Sequence, residues 1–233
     1  MSLSEMLRMI ASEFRVVFQP ILYLHTFRVY GYEALARPPA RAGDTGEFFR
    51  RAVEQSCAAA VDERVCRLAV AEFVKAQRRE TLFLNLTLPG FLHRNGLVKA
   101  LAGLPPSRVV LEVTEHAFAV APGEMAVSAR RWRELGYRVA VDDVGSGQSR
   151  VLALAEVGGD FVKVDRPLVT NALAGRRAKH VLEHLVKMAA SLGAEVVAEG
   201  IETEEELEFV RGLGIRFGQG YLLGRPEPLE SVA

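Results

Sequence analysis

The sequence predicts an α/β fold, a TIM-like (β/α)8 barrel with a reversed first strand, on three observations. Apolar, β-rich runs alternate with longer helical patterns from about residue 80 onwards, the pattern of parallel strands joined by right-handed crossovers. The first two strand-like runs, at 14–24 and 28–35, are separated by only a short turn, which permits an antiparallel hairpin but no crossover. The strand candidates total eight.

After the hairpin, a helical pattern over 48–78 returns the chain to a parallel strand at 82–86. Further strands are predicted at 109–113, 138–141, 161–164, 195–198 and 216–219. Helices are predicted at 123–135, 176–192 and 203–213, the last opened by a Thr203…Glu206 capping box. No Pro/Ser-rich linker, repeat or low-complexity segment interrupts the chain, so residues 1–233 read as one barrel domain, with 1–13 a lead-in helix or expression remnant.

Half of the residues are hydrophobic (49%) and a quarter charged (25%), with a formal net charge of +0. That balance argues against electrostatic capture of DNA, RNA or an anionic membrane. No apolar run approaches the ~18 residues of a membrane span, and the first residues lack the apolar core of a secretory signal, so the expectation is a cytoplasmic protein. Cys57 and Cys66 fall within the helix predicted over 48–78. Nine residues of helix rise ~13 Å, beyond disulfide reach, so both read as reduced packing residues.

The stretch VAVDDVGSGQS places Asp142 and Asp143 side by side between a buried strand and a glycine-rich turn. Other strands end alike: Glu33 on the second, Asn85 on the third, Glu112 and Glu115 on the fourth. Lys163 and Asp165 end the sixth, Glu199 and Glu202 the seventh, and Gln219 the eighth. Barrels of this type carry their chemistry at the C-terminal ends of the strands. Eight carboxylates and one lysine in one site repel unless compensated. Divalent cations supply that compensation, and an all-oxygen donor set without paired His or Cys favours Mg²⁺ or Mn²⁺ over zinc. Adjacent aspartates can serve two ions ~3.5–4 Å apart, a standard device for phosphoester hydrolysis.

The motifs themselves are specific. Glu33-Ala34-Leu35 is followed by Ala36-Arg37, and preceded by Phe18-Gln19-Pro20-Ile21. LEVTE, VDDVGSG, VKVDR, VAEGIET and QGYLLGRP follow in order. In this ordered set the chain resembles the EAL domain, the bacterial cyclic-di-GMP phosphodiesterase family, over nearly its whole length. The resemblance implies the same barrel, cyclic-di-GMP as substrate, linear 5'-pGpG as product, and two Mg²⁺ or Mn²⁺ ions per site.

Carried over residue by residue, the resemblance implies that Glu33, Asn85, Glu112 and Asp142 hold one ion, and that Asp142 and Asp143 engage the second. Lys163 would orient the attacking water, and Glu199 would be the general base or a ligand of the second ion. Gln19, Leu35, Arg37, Asp165 and Gln219 would contact substrate, with Arg37 clamping a phosphate. Glu115, Gly145, Ser146 and Glu202 would support the loops. The family pattern DDFGTG reads DDVGSG here, with Val144 and Ser146 as departures, and 38–64 is shortened and lacks the usual tryptophan and histidine. The resemblance leaves open a homodimer and a regulatory domain or partner. It also leaves a second function, a cyclic-di-GMP receptor or protein-interaction module without turnover.

Other signals carry less. His180–Glu183–His184 matches a zinc-peptidase spacing, but on a helix expected outside the barrel. Gly158-Gly159-Asp160-Phe161 lacks the glutamate of a cyclase signature, and Gly145-Ser146-Gly147 lacks dinucleotide-loop spacing.

Overall fold

The structure is a computed structural model, and it describes residues 3–114, 120–144 and 158–229. Eight strands close into a barrel in chain order: β1 (Arg15–Tyr23), β2 (Val29–Arg37), β3 (Thr81–Asn85), β4 (Val109–Thr114), β5 (Arg138–Val144), β6 (Phe161–Val164), β7 (Glu195–Ala198) and β8 (Phe217–Gly218). β1 runs antiparallel to both neighbours, β2 and β8. The other neighbouring pairs are parallel. The reversal follows from the hairpin turn, where Tyr23 accepts from Phe27 N and donates to Arg28 O, and Phe27 adopts φ 54°.

Helices sheathe the strands: α1 (Leu3–Ser12), α2 (Thr45–Glu54), α3 (Ala58–Lys75), α4 (Leu88–Leu92), α5 (Arg94–Leu101), α6 (Pro122–Glu134), α7 (Arg166–Ala174), α8 (Arg176–Ser191) and α9 (Glu204–Gly212). The capping box at Thr203 and Glu206 is formed as expected. The expected single helix over 48–78 is instead two. α2 buries Phe48 and Ala52, α3 buries Val61, Val65, Ala69 and Phe73, and the chain turns between them with Ser56 at φ 55°. Two helices docking on different neighbours need different axes, a demand no local breaker residue announces. Cys57 therefore caps α3 rather than sharing a helix with Cys66. Both thiols are free and buried, and Cys57 Sγ lies 3.1 Å from Met6 Sδ. The last strand is also shorter than the expected 216–219.

Three apolar clusters hold the barrel. The largest lies between strands and helices and includes Phe18, Tyr32, Phe73, Leu111, Trp132 and Val162. A second gathers Met6, Ile10, Phe14, Phe48 and Val61 beneath α1 and α2. Because β1 is reversed, its N-terminal end meets the C-terminal end of β2, so α1 flanks the barrel mouth. The third fills the barrel interior with Ile21, Phe83, Val110, Ala140, Phe161, Val197 and Phe217. Burying each large apolar side chain contributes about 2 kcal/mol.

This inner layer fixes the register of the site. Side chains two apart on a strand share a face. Two residues beyond Phe83, Val110, Ala140, Phe161, Val197 and Phe217 come Asn85, Glu112, Asp142, Lys163, Glu199 and Gln219. On the reversed strand the same step runs backwards, from Ile21 to Gln19. An apolar floor is thus capped by a polar ring.

Candidate active site

Lys163 is the centre of that ring. It is fully buried, and its Nζ lies 2.7 Å from Glu199 Oε1, 3.1 Å from Glu112 Oε2, 3.2 Å from Glu33 Oε2 and 3.5 Å from Asp142 Oδ1. Glu33 is held further by Asn85 Nδ2, which donates to its Oε1 at 2.6 Å, and by Gln219 Nε2, which donates to its Oε2 at 2.6 Å. Gln219 Nε2 also donates to Gln19 Oε1 at 2.9 Å, and Gln19 Nε2 to Gly224 O at 3.0 Å.

Strict alternation would send Asp143 to the face opposite Asp142. The β5–β6 register shifts between Val141 and Val144, and Asp143 adopts φ 59°. Aspartate tolerates this left-handed conformation better than most residues, and a bulge at a barrel rim re-aims a side chain. Oxygens of Asp142, Asp143 and Glu199 consequently lie within 4.8 Å of one another, a spacing that one cation could span. Gly200 follows at φ 64°, where a Cβ would meet Arg166 Cβ at 2.4 Å, so the turn after Glu199 requires glycine.

The ring is electrostatically frustrated without cations. Burial raises the Glu33 carboxyl, but Lys163 and the bonds from Gln219 and Asn85 outweigh it and hold it below its ordinary value. Burial drives Glu112 well up against the pull of Lys163, with Glu33, Asp142 and Glu199 adding repulsion. Asp142 is raised by burial and its acidic neighbours, and Glu199 is pushed up, chiefly by burial, to about 8. Burial lowers Lys163, but the surrounding carboxylates prevail and leave it charged. Glu112 Oε1 and Gln219 Oε1 are buried with no hydrogen-bond partner. Orphan oxygens and carboxyls raised by burial and mutual repulsion are the features that divalent cations would relieve, and the oxygen donors fit Mg²⁺ or Mn²⁺.

Above the ring opens a cleft of about 360 Å³, lined by Gln19, Asp143, Asp165, Arg166, Glu199, Glu202, Gln219 and Tyr221 among others. Asp165 commits Oδ1 to capping α7 through Leu168 N at 3.0 Å. Glu202 pairs with Arg166 at 2.7 Å. Leu35 and Arg37 lie on β2 beyond Glu33, and Arg37 is exposed, donating to Ala36 O at 3.0 Å. Arg37 lines a separate cleft, not this one. Glu115, Gly145 and Ser146 lie outside the described residues. Arg166 and Tyr221 line the cleft without having been singled out by sequence. Their signal was membership of the motifs VKVDR and QGYLLGRP, which contain Arg166 and Tyr221.

His180 and His184 are exposed on α8, bonded to Glu183 and to the His180 carbonyl. They join no metal-type cluster among the described residues.

A closed (β/α)8 barrel with a buried acidic ring at its mouth is the class that fold and site define. The chain belongs to the EAL domain family, whose model matches residues 2–226. It is 30% identical over 227 residues to the probable cyclic di-GMP phosphodiesterase PdeB of Escherichia coli, spanning 92% of this chain and 43% of that protein. The MucR phosphodiesterase from Pseudomonas aeruginosa, solved with cyclic-di-GMP, superposes with a TM-score of 0.86 at 25% identity, covering 100% of both chains. Klebsiella pneumoniae BlrP1, in its manganese and cyclic-di-GMP complex, superposes at 0.83 with 29% identity, covering 92% of this chain and 56% of that one. The chain spans less than half the length of the curated relatives it matches.

Proposed function

We propose that this chain hydrolyses one phosphodiester bond of cyclic-di-GMP to linear 5'-pGpG, with two divalent cations, Mg²⁺ or Mn²⁺, as cofactors. The observation that carries this reading is the bulge-assisted convergence of Asp142, Asp143 and Glu199 above the buried Lys163, at the floor of an open cleft. Glu33, Asn85, Glu112 and Asp142 are the candidate holders of one cation, and Asp142, Asp143 and Glu199 of the other. When bound, such a pair supplies charge neutralisation at the phosphate and lowers the pKa of water.

The chain's own residues do the rest. Glu199 accepts a proton from the attacking water, whose oxygen bonds to phosphorus as the bond between phosphorus and the ribose 3′ oxygen breaks, and the proton passes to that leaving oxygen through solvent. Lys163 holds the Glu199 carboxylate in place and offsets the negative charge of the ring. Gln19, Leu35, Arg37, Asp165 and Gln219 contact the nucleotide, and Glu115, Gly145, Ser146 and Glu202 support the loops. No helix among the described residues is long and apolar enough to cross a membrane. A cytoplasmic bacterial setting, a homodimer and a regulatory partner belong to this proposal.

Incubation with cyclic-di-GMP and Mn²⁺, with products separated by chromatography, tests it. Appearance of 5'-pGpG supports the enzyme. Tight binding without product, with either metal, overturns it in favour of a receptor.

A further inference from the structure

β1 and β2 continue beyond the polar ring. Their register pairs Gln19 with Glu33, Val17 with Leu35, and Arg15 with Arg37. Gln19 and Glu33 point into the barrel, since Gln219 Nε2 donates to both at 2.9 and 2.6 Å. Alternation then places Val17, Leu35, Arg15 and Arg37 on that same inner face. Four residues of strand rise ~13 Å, so the two arginines stand at the mouth, above the ring and to one side of it.

Directly opposed side chains on antiparallel strands have Cβ atoms ~4.5–5.5 Å apart, and like charges there are destabilising. Among the described residues no carboxylate cancels this pair. Neither arginine forms an ion pair among the described residues, and Arg37 spends one donor on a backbone carbonyl. The nearby Glu13 is engaged by Arg41. Both arginines are exposed and line one cleft of about 480 Å³, walled by Phe14, Pro38 and Pro39. Proline walls lack backbone freedom, so the cleft is shaped before anything enters it.

Two uncompensated guanidinium forks on one rigid wall match a single phosphate. A nucleotide with one phosphodiester over the ring presents its second phosphodiester away from it. We infer that Arg15 is a further substrate-binding residue, which together with Arg37 grips the phosphodiester that is not cleaved. This rests on the proposed phosphodiesterase reading and extends it to a residue outside the EAL tripeptide.

The test compares the parent with Arg15→Ala, Arg15→Lys, Arg37→Ala and the double alanine variant. Affinity for cyclic-di-GMP is measured by calorimetry in Ca²⁺, KM and kcat in Mn²⁺, and thermal melts without ligand. Arg15→Ala should weaken binding and raise KM about tenfold, the scale of one charge-assisted contact, while kcat stays within about twofold. Arg15→Lys should recover part of the affinity. The ligand-free melt of Arg15→Ala should stay level or rise, because repulsion is relieved, an outcome that a purely structural arginine does not give. The double variant should lose less than the sum of the single losses, because both residues hold one group. Parental affinity and KM in Arg15→Ala overturn this inference and leave the phosphodiesterase reading standing, and additive losses overturn the shared phosphate. A parent that neither binds nor cleaves cyclic-di-GMP overturns both.

Discussion

Lys163 Nζ stands 2.7 Å from Glu199 Oε1, the shortest of four ion pairs made by this one fully buried ammonium. Removing one partner of a buried charge network leaves the others uncompensated, at a cost of about 3–5 kcal/mol. Lys163→Met should therefore lower the unfolding free energy of the metal-free protein, obtained from urea titration, by that scale. Mn²⁺ should restore the variant more than it stabilises the parent, since a cation would replace the missing charge. A variant as stable as the parent in chelator would contradict the account of the ring.

Glu199 tests the proposed chemistry. Its carboxylate reaches both Lys163 and the Asp142–Asp143 pair. Glu199→Gln keeps the size but removes charge and basicity. Turnover should fall by roughly 10²-fold or more, the usual scale for a lost general base, while cyclic-di-GMP affinity largely survives. Product formation and binding, measured on one preparation, decide it. Turnover within a few-fold of the parent would remove Glu199 from the reaction.

Metal removal tests the donor set. Activity should require Mg²⁺ or Mn²⁺ and fail with Ca²⁺, because small octahedral ions suit a tight two-ion site better than a larger, irregular one. Ca²⁺ should still support nucleotide binding. Full turnover of stripped protein in excess chelator is the result that rejects the metal mechanism.

Asp62 supplies a pH signature away from the ring. Buried on α3, its Oδ2 accepts from Thr87 N at 3.0 Å and from Thr87 Oγ1 at 2.6 Å, tying α3 to the turn after β3. Burial raises its carboxyl to about 7, against the opposing Thr87 bonds. The folded state thus holds this proton more tightly than the unfolded chain. Its contribution to stability is complete below the ordinary carboxyl range and is lost as pH rises towards 7. The melting temperature of Asp62→Asn relative to the parent should accordingly climb by several degrees between pH 4.5 and 7.5, then level off. A difference independent of pH would contradict the shift.

The reversed first strand was legible because a hairpin turn is local, and the rim residues because strand periodicity places every second side chain on one face. The ordered motifs likewise identified the family, since each lies within a few consecutive residues. Tertiary structure alone decided the rest. The break between α2 and α3 answers to packing partners rather than to local propensity, which is why 48–78 reads as one helix. The bulge that turns Asp143 beside Asp142 exists only where β5 meets β6. The charge state of Glu112 depends on Lys163, 51 residues away, and on how deeply both are buried. The bond from Gln219 to Glu33 spans 186 residues, and the opposition of Arg15 and Arg37 arises from strand register. Side-chain type and period are properties of the chain. Register, burial and shared charge are properties of the closed barrel, because only closure brings distant strands within reach of one ammonium.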